Sequence, residues 1–301
     1  MTCNIIIGMA GSGKTTLVSQ IVQREKAYVI NLDPAVQTLP YQPNIDIRDA
    51  INYQQLQQTH QLGPNGAILT ALSLYAARAP QLITLCKNAI SEGYEQIVVD
   101  APGQIEVFAW SASGEIIISL FRETFPTAVI YLGDGKRAAL PNNFVSGMLY
   151  FLSIKQRLQL EGQMLICYNK IDLLEKQDLA RLQSYYQDSI ALYDAFDDSN
   201  LMDQNDFSSP FLEQIVTNLD EYWLNEQFCT ISCLSGEGYA DMMDKCKNIQ
   251  TISQKNMDDL KQQVGLEKFN QIKESFATLK IDLNEEHQQE IEDQDNLDGV
   301  D

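Results

Sequence analysis

An apolar run at residues 4–7 opens directly into Gly8-Met9-Ala10-Gly11-Ser12-Gly13-Lys14-Thr15. This matches G-x-x-x-x-G-K-T, a phosphate-binding loop, at every fixed position. The glycines let the backbone curl until successive N–H groups, those of Gly11, Ser12 and Gly13 among them, point at phosphate oxygens. Lys14 reaches the β- and γ-phosphates, the Thr15 hydroxyl ligates Mg²⁺, and Thr16 is placed to bond the α-phosphate. Residues 14–23 read as the helix that receives the loop. Strand, loop and helix in that order make a chance glycine-rich turn a poor explanation.

Further apolar runs at 28–32, 97–99, 128–132, 165–168 and 230–231 read as strands, with helical stretches at 51–61, 68–77 and 81–92. Such alternation predicts an α/β fold of the P-loop NTPase type, with a mainly parallel sheet flanked by helices. Ligands in these folds sit beyond the carboxyl ends of the strands. The informative motifs fall there, after Ile7, Leu32, Val99 and Tyr168. We expect a domain over residues 1–255 with a helical insertion at about 174–227, which is too long for a loop. Leu260, Val264, Ile272, Phe276 and Leu279 give residues 256–280 the spacing of an amphipathic helix packed on the domain. After Lys280 there is no basic residue but nine acidic ones, so 281–301 reads as an acidic disordered tail.

The formal charge of −20 disfavours broad contact with nucleic-acid phosphates or anionic lipid. No run of about eighteen apolar residues suggests a membrane helix, and the first residues do not follow the secretory-signal pattern. The six cysteines are scattered without a CxxC pair, and His60 and His287 are the only histidines. Reduced, buried thiols of a cytosolic or nuclear protein fit better than disulfides or a structural zinc site.

Three more motifs complete a nucleotide site. Asp100-Ala101-Pro102-Gly103-Gln104 follows a strand. Asp100 sits where a carboxylate holds Mg²⁺, directly or through water; Gly103 can bring its N–H to the γ-phosphate, and Gln104 can orient a water. Asn169-Lys170-Ile171-Asp172 ends another strand. The Asp172 carboxylate can accept two hydrogen bonds from guanine, a donor pair that adenine lacks. The Lys170 stem can lie along the base, and Asn169 can tie this loop to the phosphate loop. Ser232-Cys233-Leu234 follows the last strand, where a backbone N–H of Cys233 would meet guanine O6; a core cysteine reads equally well.

The segments GMAGSGKTT, VINLDPAV, NIDIRDA, LGPNGAI, DAPGQIEVFAWSASG, YNKIDLL and ISCLSGEG, in this order, resemble the GPN-loop GTPases over roughly the first 250 residues. GMAGSGKTT and WSASG are most similar to the first eukaryotic paralogue group, linked to RNA polymerase II assembly and nuclear import. Ala101, where that group typically has Thr, and Cys233, where Ala is usual, depart from the pattern. The resemblance implies a homodimer, or a heterodimer with another family member, in which the loop Gly63, Pro64 and Asn65 reaches the partner's nucleotide. It also raises Asp33 and Glu106 from a loop cap and a surface carboxylate to catalytic candidates beside Gln104 and Asn65. From the residues alone, Gly63-Pro64-Asn65-Gly66 is a sharp turn.

The expectation is a Mg²⁺-dependent enzyme that hydrolyses GTP to GDP and phosphate. RNA polymerase II subunits are the implied clients, with no direct nucleic-acid or membrane contact. A cytoplasmic location with nuclear shuttling is implied, although the residues hold no basic import cluster. The alternatives are a static GTP-binding scaffold and a P-loop kinase; no Arg-rich lid supports the latter.

Overall fold

The computed structural model describes residues 1–197 and 209–264. Seven strands form one parallel sheet in the order β3-β2-β4-β1-β5-β6-β7. They are β1 (Thr2–Ile7), β2 (Ala27–Asn31), β3 (Ile45–Asp46), β4 (Gln96–Asp100), β5 (Thr127–Asp134), β6 (Met164–Asn169) and β7 (Gln227–Thr230). The central strands are apolar on both sides because both faces are covered. Ile5 and Ile7 face one core cluster while Ile6 faces the other.

One face carries α1 (Lys14–Arg24) and the long α9 (Tyr239–Val264). Leu17, Val18 and Ile21 of the first, with Met242, Cys246 and Ile249 of the second, pack on Val98, Ile130 and Leu165. The opposite face carries α2 (Pro64–Ala76), α3 (Ala79–Ser91), α4 (Ala112–Thr124) and α5 (Pro141–Arg157). Next to them lie α6 (Lys176–Gln187), α7 (Ser189–Asp197) and α8 (Ser209–Leu224), whose Tyr185, Phe196 and Trp223 join the same core. No single helix among the described residues is long and apolar enough to cross a membrane.

Local chemistry sets several boundaries. Ser111 caps α4 by accepting from Gly114 N at 3.0 Å, and a Cβ on Gly114 would collide with the Phe108 carbonyl. The WSASG stretch is therefore a helix start with a steric reason for its glycine. Asn52 likewise caps a short helix, Tyr53–Thr59, which occupies the middle of the stretch expected at 51–61. The last strand lies earlier than 230–231, at Gln227–Thr230.

Two features differ from expectation in kind. Gly63-Pro64-Asn65-Gly66 is not a sharp turn: Gly63 is the N-cap and Pro64 the first residue of α2. Proline suits that position because the first N–H of a helix needs no intrahelical acceptor. The sheet also has an edge strand, β3, that no apolar run announced. The helix expected at 256–280 continues α9 without a break as far as Val264; the rest of it and the tail at 281–301 lie outside the described residues.

β3 is held by polar contacts. Asp46 accepts from Asn31 Nδ2 at 2.9 Å and from Arg48 Nη2 at 2.6 Å. Arg48 Nη1 also donates to the carbonyls of Val36 and Gln37, which fastens the loop after β2. Burial alone would raise the Asp46 pKa, but the bonds from Arg48 and Asn31 outweigh it and hold the carboxyl below its usual range. A depressed carboxyl stabilises the fold above its unfolded pKa and loses that effect as pH falls through the folded one. Arg48→Ala should therefore lower unfolding free energy by about 2 kcal/mol at pH 7. Urea melts should show the gap shrinking as pH drops below about 4. Equal stability of the two proteins at pH 7 would contradict this.

Candidate active site

The carboxyl ends of β1, β2, β4, β6 and β7 deliver one residue group each to a common centre. The first is the loop between β1 and α1. Its Gly13 is the N-cap of α1 at φ 99°, a left-handed conformation, and a Cβ there would collide with Asn169 Nδ2. Glycine is thus required twice over, by conformation and by contact. Lys14 is nearly buried, and its Nζ donates to the carbonyls of Gly8 at 2.8 Å and Met9 at 3.1 Å. Burial lowers its pKa, opposed by the fields of Asp100, Asp33 and Glu106. Those three carboxylates come from β4, the loop after β2 and the short helix Ile105–Ala109, so the structure gathers them around one ammonium.

Asp100 is 1% exposed. Burial pushes its pKa up to about 6, while the hydrogen bond from Tyr41, the neighbouring Thr15 hydroxyl and the charge of Lys14 pull it down. Its Oδ2 accepts from the Tyr41 hydroxyl at 2.7 Å, and its Oδ1 is buried without a hydrogen-bond partner. An unpartnered carboxylate oxygen in such a place is costly unless a cation uses it. Among the described residues no cluster of three or more His, Cys, Asp or Glu forms a ready metal cage. Thr15 and Asp100 instead offer a pair of hard oxygen ligands, the donor set that suits Mg²⁺ when phosphates and water supply the rest.

Asp33 accepts from Gly103 N at 3.0 Å and from Ala35 N at 2.9 Å. The Gly103 N–H expected at a terminal phosphate is therefore donated to a carboxylate in this structure. Gln104 is exposed at the N-cap of the helix Ile105–Ala109, and Glu106 is exposed two residues on. Thr16 is exposed at the start of α1. Asn65 is exposed in the first turn of α2, which packs on α4 and on the helix that carries Glu106. Tyr53 donates to the Pro64 carbonyl at 3.3 Å.

The base-recognition side is joined by one side chain. Asn169 Nδ2 donates to the Ser12 carbonyl at 2.9 Å, and its Oδ1 accepts from Cys233 N at 2.9 Å. The Cys233 N–H, expected at a base, is donated to Asn169 in this structure. The Cys233 side chain is 5% exposed, as a core thiol would be. Lys170 takes a left-handed backbone at φ 68° and pairs with Asp134 at 2.7 Å. Asp172 is exposed, and its Oδ1 accepts from the Ser232 hydroxyl at 2.5 Å. A cavity of about 370 Å³ lies beside the loop, lined by Met9, Ser12, Tyr131, Tyr150 and Lys170.

Tyr41, Asp134 and Ser232 were not expected as site residues. Asp134 lies opposite Asn169 in the β5–β6 register, a neighbourhood that only the sheet creates. Ser232 stands beside Cys233 in the motif, and its hydroxyl was the available signal. Tyr41 sits between Pro40 and Pro43 and reads as any core tyrosine.

Residues 6–252 match the family described as conserved hypothetical ATP binding protein. The chain is 33% identical over 297 residues to GPN-loop GTPase 1 of Dictyostelium discoideum, covering 96% of this chain and 72% of that one. It is 34% identical over 313 residues to GPN-loop GTPase 1 of Saccharomyces cerevisiae, covering 98% and 80%. A crystal structure of a GTPase in apo form from Pyrococcus abyssi superposes with a TM-score of 0.68 at 23% identity, over 82% of this chain and 96% of that one. That likeness concerns the fold.

The family description names ATP, whereas these relatives are named GTPases, and Asp172 is the residue expected to separate the two bases. Its carboxylate suits the N1–H and amino group of guanine. Asp172→Asn should weaken GTP binding by about 10²-fold or more and favour xanthine nucleotides, whose edge presents an acceptor. Titrations with GTP, ATP and XTP test this. Equal affinity of the unmodified chain for ATP and GTP would overturn the assignment.

Proposed function

The chain belongs to the GPN-loop GTPase family, and from that premise we propose that it is a Mg²⁺-dependent GTP hydrolase completed by dimerisation. The observation that carries the reading is the double hydrogen bond of Asn169, which fixes the guanine-type loops against the phosphate loop. A phosphate-binding loop alone fits many nucleotides. Locked to a carboxylate at Asp172, it favours one.

In this reading the N–H groups of the loop bind the phosphates, and Lys14 exchanges the carbonyls of Gly8 and Met9 for phosphate oxygens. Thr15 and Asp100 would hold Mg²⁺, which supplies charge neutralisation at the β- and γ-phosphates when bound. Gln104, with Asp33 or Glu106, orients a water in line with the γ-phosphorus. The bond from water oxygen to phosphorus forms as the bridging oxygen leaves with GDP. Preorganised donors stabilise the charge that develops on the transferring group. Gly103 can donate there once its N–H leaves Asp33.

Asn65 of a partner subunit supplies a further donor. Its exposure at the positive end of α2 supports that role, since an amide there has no packing function. The partner is a second copy or another family member. The likeness of GMAGSGKTT and WSASG to the paralogue group described above supports an assembly and import role toward RNA polymerase II. That role fits a cytoplasmic protein that shuttles to the nucleus.

Gln104→Leu should leave GTP affinity near normal and slow hydrolysis by about 10²-fold, the low end of what positioned proton-handling groups contribute. Hydrolysis at the unmodified rate would remove Gln104 from the mechanism. The dimer is tested by mixing subunits. Asn65→Ala lacks the donor, and Lys14→Ala lacks its own phosphate site. In a mixed dimer the intact loop of the first receives Asn65 from the second, so activity should partly return. No rescue in mixed dimers of verified composition would show that Asn65 does not act across an interface.

A further inference from the structure

Tyr41 belongs to the loop between β2 and β3 and has no part in the mechanism above. The loop is tied down on both sides of it. Ser19 of α1 donates to the Pro40 carbonyl at 3.4 Å, and Asn44 exchanges two bonds with Val29 of β2 at 2.8 Å each. Arg48 holds the carbonyls of Val36 and Gln37 earlier in the same loop. The Tyr41 ring packs in the core cluster under α1 with Leu17, Val18 and Ile21.

Packing explains the ring but not the hydroxyl. A buried phenol could be satisfied by any carbonyl, and a phenylalanine would fill the same space. This hydroxyl instead donates to Asp100 Oδ2 at 2.7 Å, across 59 residues of chain. The acceptor is the carboxylate whose Oδ1 is buried without a partner. One oxygen of Asp100 is thus held by a fixed donor, and the other is left for something the protein does not provide.

We propose that Tyr41 is a positioning residue for the cation site, its hydroxyl holding Asp100 Oδ2 so that Oδ1 serves a Mg²⁺–nucleotide complex. This rests on the reading of Thr15 and Asp100 as the cation ligands. Hydrogen bonds that orient metal-ligating carboxylates commonly change metal affinity by about 10–100-fold when removed. The bond also links cation binding to the loop that carries Asp33. Asp33 accepts the Gly103 N–H, so one segment contacts both the cation carboxylate and the glycine after it.

The test compares the full chain with Tyr41→Phe, which keeps the ring and removes only the hydroxyl. The release rate of a fluorescent GDP analogue is measured across a Mg²⁺ titration, and its affinity is measured separately in EDTA. Mn²⁺ binding to the GDP complex is followed by paramagnetic resonance. The variant should need about ten-fold more Mg²⁺ for half-maximal slowing of release and bind Mn²⁺ more weakly. Its affinity in EDTA should match that of the unmodified chain, while its melting temperature should fall modestly because buried Asp100 Oδ2 loses its donor. Superimposable metal titrations would overturn the proposal. So would an equal weakening in EDTA, which would make Tyr41 a packing residue. If release from the unmodified chain ignores Mg²⁺ altogether, it is the assignment of Thr15 and Asp100 that fails, and the inference with it.

Discussion

The site depends on one buried amide. Asn169 ends β6, donates to the carbonyl of Ser12 and accepts from the N–H of Cys233. Three strand ends that are far apart in sequence are thereby held at fixed distance. The same amide sits against Gly13, where a Cβ would collide with it, so the close approach needs both residues. A nucleotide has a base at one end and phosphates at the other. A protein that reads both must fix the spacing between its two readers before the ligand arrives, because ordering them at binding would cost affinity.

The second constraint is electrostatic. The chain has a formal charge of −20, yet the group proposed to meet phosphate is a buried lysine in the field of three carboxylates. Those carboxylates oppose the lowering of the Lys14 pKa by burial. Asp100 is shaped by the opposite balance, raised by burial and lowered by its donors. Long-range attraction therefore contributes little to nucleotide capture; oriented N–H groups and a local cation site have to do it.

Much of this was legible in the sequence because buried parallel strands are short continuous apolar runs and their ends carry the motifs. The sheet, the phosphate loop and the meeting of Lys14 with Asp100 follow from that, whereas Asp33 reads as a loop cap until the family resemblance raises it. β3 was not legible, since two residues make no pattern and its stability lies in Asp46, Asn31 and Arg48. Gly63-Pro64-Asn65-Gly66 was misread because a glycine N-cap followed by proline starts a helix as readily as it makes a turn. Tyr41, Asp134 and Ser232 act through partners 59, 36 and 60 residues away, which only strand register brings together. The Cys233 N–H was aimed at a base because its motif position was visible and the competing acceptor on Asn169 was not.

The central claim is that these locked loops make a guanine-specific, cation-assisted phosphohydrolase. Phosphate release under multiple turnover, with GTP and ATP side by side, each with Mg²⁺ and with EDTA, addresses it most directly. The account predicts release from GTP that continues well beyond one phosphate per site, stops in EDTA and is absent with ATP. Turnover of ATP at the GTP rate, or release that ends at one equivalent, would contradict it.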